Sequence, residues 1–413
     1  MSVYLLATLD TKGTEAAFVR DRLRAAGVDV VVVDCGCVGE PTCPADVSRD
    51  EVFRAAGKLL PQMQSQGERG VAVSAAASGA AELVRRAFDE NKLSGVLALG
   101  GSAGTNIGTT AMQALPIGVP KLMVSTLAAG DVSRWVGGKD ILMLNSVVDI
   151  SGINRISRQV LANAAFAMAG MVYGRKALDI VDDGAADRPL ICASMFGVTT
   201  PCVQHASRIL EESGFEVLVF HATGGGGRAM ESLIAEGLIA GVLDITTTEL
   251  ADELVGGILS AGPDRLTAAA KHSVPQVVSV GATDMVNFGP RDTVPAQFAD
   301  RKFHIHNATV TLMRTTAEES AALDKEIAEK VSASKVPAAI MLPLQGVSAI
   351  DREGQPFDDP AARDSLFEAV RKNKGNVELI ELGEIVNDEA FAAAAAQKLI
   401  ELIQSQQVAA GAM

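Results

Sequence analysis

The chain has 413 residues, too many for one ordinary domain and suited to two of about 150–220 residues each. Hydrophobic residues at 48% and charged residues at 21% exclude wholesale disorder. A net charge of −14 excludes a protein whose main task is gripping a phosphate backbone, although backbone N–H groups can still hold a small anion.

Aromatic residues are scarce at 4%, with Trp135 the only tryptophan, whereas glycine is abundant at 39 residues. That texture suits an aliphatic core with tight loops and offers no stacking platform for single-stranded nucleic acid. Cys35, Cys37, Cys43, Cys192 and Cys202 form an odd set that reads as reduced thiols. The opening MSVYLLATLD has no basic n-region or cleavage-like site. No apolar run reaches the ~18 residues of a membrane span, so a cytoplasmic protein without a membrane partner is expected.

Taken from the N-terminus, residues 3–7 predict a strand, 14–26 a helix ending at Gly27, 28–33 a strand and 49–66 a helix. Next come strand 70–74, helix 79–91, strand 95–99, helix 105–114 and strand 119–124. These Val- and Leu-rich strands do not alternate with polar residues, which predicts a parallel sheet covered on both faces. Residues 161–174 read as a buried helix, and the polar stretch 175–189, with four Asp, as the boundary between domains 1–178 and 188–413.

The second series predicts strand 190–195, helix 201–213, strand 215–220, helix 228–236, strand 240–245, helix 248–259 and strand 276–280. Residues 281–302 show no regular period and 303–314 are strand-like. Helix 316–333, strand 338–342, a long loop over 343–359, helix 360–374, strand 376–381 and helix 388–405 follow. The long loop is read as either a lid or a surface excursion. The fold class expected is α/β: two doubly wound, mainly parallel-sheet domains with a cleft between them.

Open parallel sheets bind ligands beyond the carboxyl ends of their strands. In the first domain those handovers are 8–15 (TLDTKGTE), 74–79 (SAAASG), 100–105 (GGSAGT) and 125–131 (STLAAGD), all small, hydroxyl-bearing or glycine-rich. A strand followed by GGSAGT and a helix lets backbone amides reach an anion, with Thr105 as a cap and Ser102 as a donor. Neither the GxGxxG spacing nor a GK[ST] ending is present. Cys35, Cys37 and Cys43 lack a fourth ligand for zinc.

The stretches ATLDTKGTE, LGGSAGT, ALPIGVPKLMVSTLAAGD (114–131) and NSVVDISGINRIS (145–157) resemble a widespread bacterial and fungal family that includes the plant tobamovirus-resistance protein of tomato. HATGGGGRAME (221–231), DITTTE (244–249) and QGVSAID (345–351) extend the resemblance over essentially the whole chain. It implies two α/β domains, ATP (with Mg2+ as its companion ion) in the first, and a homodimer. Carried over by position, the implied nucleotide contacts are Thr8, Asp10, Thr11, Lys12, Gly13, Gly100, Gly101, Ser102, Gly104 and Thr105. The family commonly has glycine where this chain has Ala103, and a left-handed backbone there would demand one.

In the second domain His221 opens a run of four glycines and Arg228 before a helix, a pattern that suits close approach to an oxyanion. Cys202 and His205 share a first helical turn, where a thiol can ionise, and His304 and His306 share a strand face. With Glu249 and Asp284 near other strand ends, the expected small-molecule site is His221, Arg228, Glu249, Asp284 and His304. Whether a metal joins them is open at this stage. The leading functional expectation is a nucleotide-binding protein with small-molecule chemistry at the cleft. The alternatives are a metal-assisted enzyme cleaving C–C or C–O bonds of small acids or sugar acids, and a non-enzymatic nucleotide-responsive interaction protein.

Overall fold

The computed structural model describes residues 1–66, 68–178 and 188–411. Of the expected linker, residues 179–187 lie outside the described residues. The chain divides into two compact units, 1–185 and 186–413.

The first unit runs β1 (Ser2–Ala7), α1 (Leu9–Ala25), β2 (Val30–Asp34), α2 (Arg49–Ala55), α3 (Leu60–Gln66), α4 (Arg69–Asp89), β3 (Leu93–Gly100), α5 (Ser102–Gln113), β4 (Lys121–Ser125), α6 (Ser133–Val136), β5 (Leu142–Asn145) and α7 (Arg155–Leu178). All its strand pairs are parallel, in the order β2-β1-β3-β4-β5. Period-2 alternation sends Leu6, Val33, Val96, Ala98 and Met123 into a core with α2, α4 and α5. Leu5, Val32, Leu97, Leu99 and Val124 face the opposite core with α1 and α7.

One expected strand is a helix. Residues 70–74 lie inside α4, which continues to Asp89, so the expected loop 74–79 is mid-helix. Ala72, Ala75, Ala76, Gly79, Ala80 and Val84 are its buried stripe, a 3.6-residue period that alanine's helix propensity supports. β5, absent from the sequence expectation, pairs with β4 through four residues only.

The second unit begins β6 (Leu190–Met195), α8 (Thr200–Glu212), β7 (Glu216–His221), α9 (Gly225–Ala235), β8 (Ile239–Thr246), α10 (Thr248–Val255), α11 (Ala268–Lys271) and β9 (Gln276–Gly281). It continues with β10 (Met285–Phe288), β11 (Phe303–Asn307), β12 (Val310–Arg314), α12 (Ala317–Ser332), β13 (Ala338–Pro343), α13 (Pro360–Asn373), β14 (Glu378–Leu382) and α14 (Glu389–Gly411). The main sheet is parallel, ordered β14-β13-β9-β8-β6-β7. From β7 inward it repeats the first unit's winding, second strand, first strand, then onward.

Between β9 and β13 the chain inserts an antiparallel sheet, β10-β12-β11. The region without period thus contains a strand, and 303–314 is a hairpin rather than one strand. The loop 343–359 is no surface excursion: Val347, Ser348, Asp351 and Phe357 are fully buried. Among the described residues no helix is long and apolar enough to cross a membrane.

Candidate functional site

Where a doubly wound chain reverses its direction across the sheet, two neighbouring turns diverge and leave a crevice beyond the strand ends. In the first unit that reversal lies between β1 and β3, adjacent parallel strands. The turns that follow them are 8–13 and 100–105, the segments marked for nucleotide contact.

Gly100 and Gly104 shape the second turn. A Cβ on Gly100 would stand 2.8 Å from the Gly104 Cα, and one on Gly104 would stand 3.0 Å from the Leu99 carbonyl oxygen. Gly101 is the N-cap of α5 and supplies no side-chain cap. Among the described residues no acceptor meets the amides of Ser102, Ala103 and Gly104; the first amide to bond back is that of Thr105, to Gly101 O at 2.8 Å. Ser102 is exposed. Ala103 sits within α5 without a left-handed φ, so its Cβ is unstrained. Thr105 is not the cap: it is buried and its Oγ1 lies 2.6 Å from Ser125 Oγ, tying α5 to the end of β4.

The first turn is the opening of α1 rather than a free loop. Thr8 is the N-cap, and its hydroxyl lies 2.9 Å from that of Thr11. Lys12 interrupts the helical geometry, and its Nζ donates to the Ile150 carbonyl. Gly13 lets the segment at Thr42 pack closely, since a Cβ would stand 2.2 Å from Thr42 Oγ1. Asp10 Oδ2 accepts the amides of Val38 and Gly39, both at 3.1 Å. Its Oδ1 is buried and has no partner among the described residues. Asp34, at the end of β2, accepts the amides of Leu9 and Gly36, and burial raises its pKa above the usual carboxylate value. Burial also pushes the neighbouring Cys37 thiol up to about 11 and Cys35 higher still.

The second unit's glycine-rich turn is built differently. Glu249 Oε1 accepts the amides of Gly224 at 2.6 Å and Gly227 at 3.0 Å, while its Oε2 accepts Arg265 Nε at 2.7 Å. The turn's amides therefore close on a carboxylate of the same chain. A Cβ on Gly227 would stand 2.1 Å from Glu249 Oε2, and Gly224 has φ of +80°. Arg265, fully buried, also grips Asp244 at 2.5 and 2.7 Å. Asp244 in turn accepts Ser194 Oγ at 2.6 Å. Arg228 is spent on the Ser260 carbonyl at 2.9 Å. His221 ends β7, exposed, with its ring edge-on to Phe196 at 5.4 Å.

Asp284 and His304 stand in another neighbourhood. Asp284 follows β9, fully buried, and accepts Ser348 Oγ at 2.9 Å through Oδ2, with Oδ1 unpartnered among the described residues. Burial and the nearby Asp351 carboxylate push it up to about 7 against the pull of Arg314. Arg314 and Arg363 both pair with Asp351, at 3.1 and 3.0 Å. Half-buried His304 packs edge-on against Phe357 at 6.2 Å, and the Phe357 carbonyl accepts Arg314 Nε at 3.0 Å. Of the five expected residues, the structure groups His221, Arg228 and Glu249 around the glycine turn, and Asp284 and His304 around Arg314. Cys202 is fully buried, its thiol pushed up to about 12, so it supplies no thiolate near neutrality.

The reversal point of this sheet, between β6 and β8, is filled by its own chain. Thr199 Oγ1 and Thr246 Oγ1 lie 2.8 Å apart, and Ala349 N and Asn387 Nδ2 both donate to Val198 O. Sequence reasoning missed Arg265, Ser194, Arg314, Arg363 and Ser348. None carries a spacing signal, because the carboxylates they meet lie at separations from 5 to 64 residues that follow no helical or strand period.

Two tandem doubly wound units, one with an open helix N-terminus at its reversal point, define an α/β protein of the open parallel-sheet class. The chain belongs to the uncharacterised protein family UPF0261, whose N-terminal domain matches residues 1–177 and C-terminal domain residues 188–403. A UPF0261 protein of Clostridium tetani is 50% identical over 406 residues, covering 97% of this chain and 99% of that protein. The ToMV resistance protein Tm-1(GCR237) of Solanum lycopersicum is 39% identical over 422 residues, covering 97% of this chain but 55% of the tomato protein. A solved UDP-N-acetylglucosamine 2-epimerase from Rickettsia bellii aligns over 98% of this chain and 96% of its own at 11% identity. Its TM-score of 0.21 is too low to carry an argument.

Proposed function

We propose that the first unit binds the phosphate chain of a nucleotide of the ATP type at the β1/β3 reversal point. One observation carries the reading: the amides of Ser102, Ala103 and Gly104 meet no acceptor among the described residues, at the N-terminus of a twelve-residue helix in the crevice where doubly wound sheets take ligands. The aligned peptide dipoles of α5 favour negative charge at that end. Thr8, Thr11 and Ser102 add hydroxyl donors, Lys12 the turn's one positive charge, and Asp10 the turn's one carboxylate for a magnesium ion that is otherwise held by phosphate oxygens and water. The family resemblance supports the same ligand class.

The test is Ser102→Glu in the full chain, with ATP, ADP and AMP compared by thermal shift and calorimetry. An acidic residue in the first turn complements the helix dipole and spares the fold, yet sets a negative charge where the phosphate sits. The wild type should gain about 2.7 kcal/mol of stability at a ligand concentration 100 times Kd, and the variant should lose at least about tenfold in affinity. Absence of any shift in the wild type at millimolar ATP would sink the reading.

A further inference from the structure

We infer that the second unit holds a small open-chain hydroxy acid, a polyol ending in one carboxylate, in a cavity where β13 and β14 end. The site is independent of the nucleotide proposed for the first unit.

The cavity measures 810 Å3, within the roughly 300–1,000 Å3 of small-molecule sites. Leu344 and Gln345 follow β13, Ile385 and Asp388 follow β14, and Pro360 and Arg363 belong to the first turn of α13. The cavity therefore lies beyond the carboxyl ends of two paired parallel strands, the side on which open sheets take ligands. α13 and α14 both start there, and their aligned peptide dipoles favour an anion at that end. The 343–359 loop supplies the remaining wall. A Cβ on Gly346 would stand 2.2 Å from the Asp351 carbonyl oxygen and 3.0 Å from Arg352 Cβ. The loop thus folds back on itself and sets Arg352 beside the end of β13.

Two guanidinium groups line the cavity, and they differ in state. Arg363, its side chain 10% exposed, is fixed in plane by Asp351 on Nη1 and Asp358 on Nη2, both at 3.0 Å. Its Nε meets no acceptor among the described residues. Arg352 is exposed and meets neither carboxylate nor carbonyl among the described residues. An oriented N–H and a free cation on one cavity suit a carboxylate. The rest of the lining suits hydroxyl groups. Asp388 Oδ2 accepts the Ile385 amide at 3.0 Å, which leaves Oδ1 as an acceptor. The exposed Gln345 amide and the Glu353 carboxylate are uncommitted among the described residues. Glu353 and Asp388 outnumber Arg352, because Asp351 and Asp358 already offset Arg314 and Arg363. A polyphosphate would meet repulsion here, whereas a single carboxylate with neutral donors would not. No aromatic side chain lines the cavity among the described residues, so a sugar ring or a base finds no face to stack on, and an open chain needs none.

Calorimetry on the full chain without nucleotide, using threonate, xylonate and gluconate, tests the assignment. Glucitol keeps the hydroxyls without the carboxylate, and hexanoate keeps the carboxylate without the hydroxyls. At least one of the three hydroxy acids should bind the wild type at millimolar concentration, at least about tenfold tighter than glucitol or hexanoate. Arg352→Gln and Gln345→Ala both alter exposed side chains that hold no partner among the described residues, so the melting temperature should stay as it is. Arg352→Gln should weaken the preferred acid at least about tenfold and remove its advantage over glucitol. Gln345→Ala should narrow the same acid's advantage over hexanoate. Failure of all three acids to bind would overturn the assignment, as would equal binding of the preferred acid and either analogue. Full affinity retained in Arg352→Gln, or an undiminished advantage over hexanoate in Gln345→Ala, would overturn it too. None of these results bears on the first unit, since no nucleotide is present.

Discussion

Glu249 does for the glycine turn of the second unit what a bound anion is proposed to do for the α5 turn of the first. Its carboxylate meets two amides of the glycine turn and the Arg265 guanidinium, and all of these groups are out of water. Replacing it by Gln points an amide N–H either at Arg265 or at a backbone donor. Glu249→Gln should therefore cost about 3 kcal/mol in urea unfolding, as breaking buried pairs does; a loss below about 0.5 kcal/mol, the range of neutral surface changes, would contradict this account. Asp252 gives a pH signature. Burial pushes its carboxyl up to about 7 although Asn287 and Leu259 donate to it. A raised pKa in the folded state stabilises fully below the unfolded value of 3.8 and is lost as pH rises through about 7. The melting temperature should fall between pH 5 and 8, and Asp252→Asn should flatten part of that slope. A slope identical in the variant would assign the effect elsewhere, Asp284 being the other buried acid near 7.

Among the helices, α4 shows how a backbone approach dictates a residue. A Cβ on Gly79 would stand 1.9 Å from the Val52 carbonyl oxygen of α2. Alanine gains about 1 kcal/mol in helix propensity, but the obstacle is backbone and cannot rotate away, so overpacking of about 1–3 kcal/mol outweighs the gain. Gly79→Ala should lower the melting temperature measured by circular dichroism; an increase would mean that α2 and α4 separate more easily than their packing indicates. The same reasoning accounts for Gly100 and Gly104, which let α5 start with only Gly101 between it and β3. A tight handover of this kind aims the first amides of a helix at the strand edge, and so at a ligand.

Each unit carries its own parallel sheet with helices on both faces, and each repeats one winding order. A chain of residues 1–178 should therefore fold alone, with a cooperative thermal transition and the nucleotide-induced shift of the full protein. A fragment without a transition would show that the first unit depends on the second. The pH slope attributed to Asp252 should be missing from this fragment, because that residue belongs to the second unit. The shared winding also separates the two reversal points by content: threonine hydroxyls and the 343–359 loop fill the second, whereas Ser102, Ala103 and Gly104 leave the first open.

Period and composition alone determined the two-unit α/β plan, the parallel sheets and the placing of 8–13 and 100–105 on one edge. Apolar runs and glycine turns are local, and doubly wound topology converts them into positions. The helix over 70–74 was hidden because Val71 and Val73 flank alanines in a way that reads equally as a buried strand; only packing against α2 and α5 decides it. Tertiary structure alone decided that Glu249 closes the glycine turn, that Arg265 joins Asp244, and that Asp284 and His304 stand apart from His221. Those outcomes depend on side chains brought together from distant segments, where desolvation makes each charge seek a partner that no sequence spacing records.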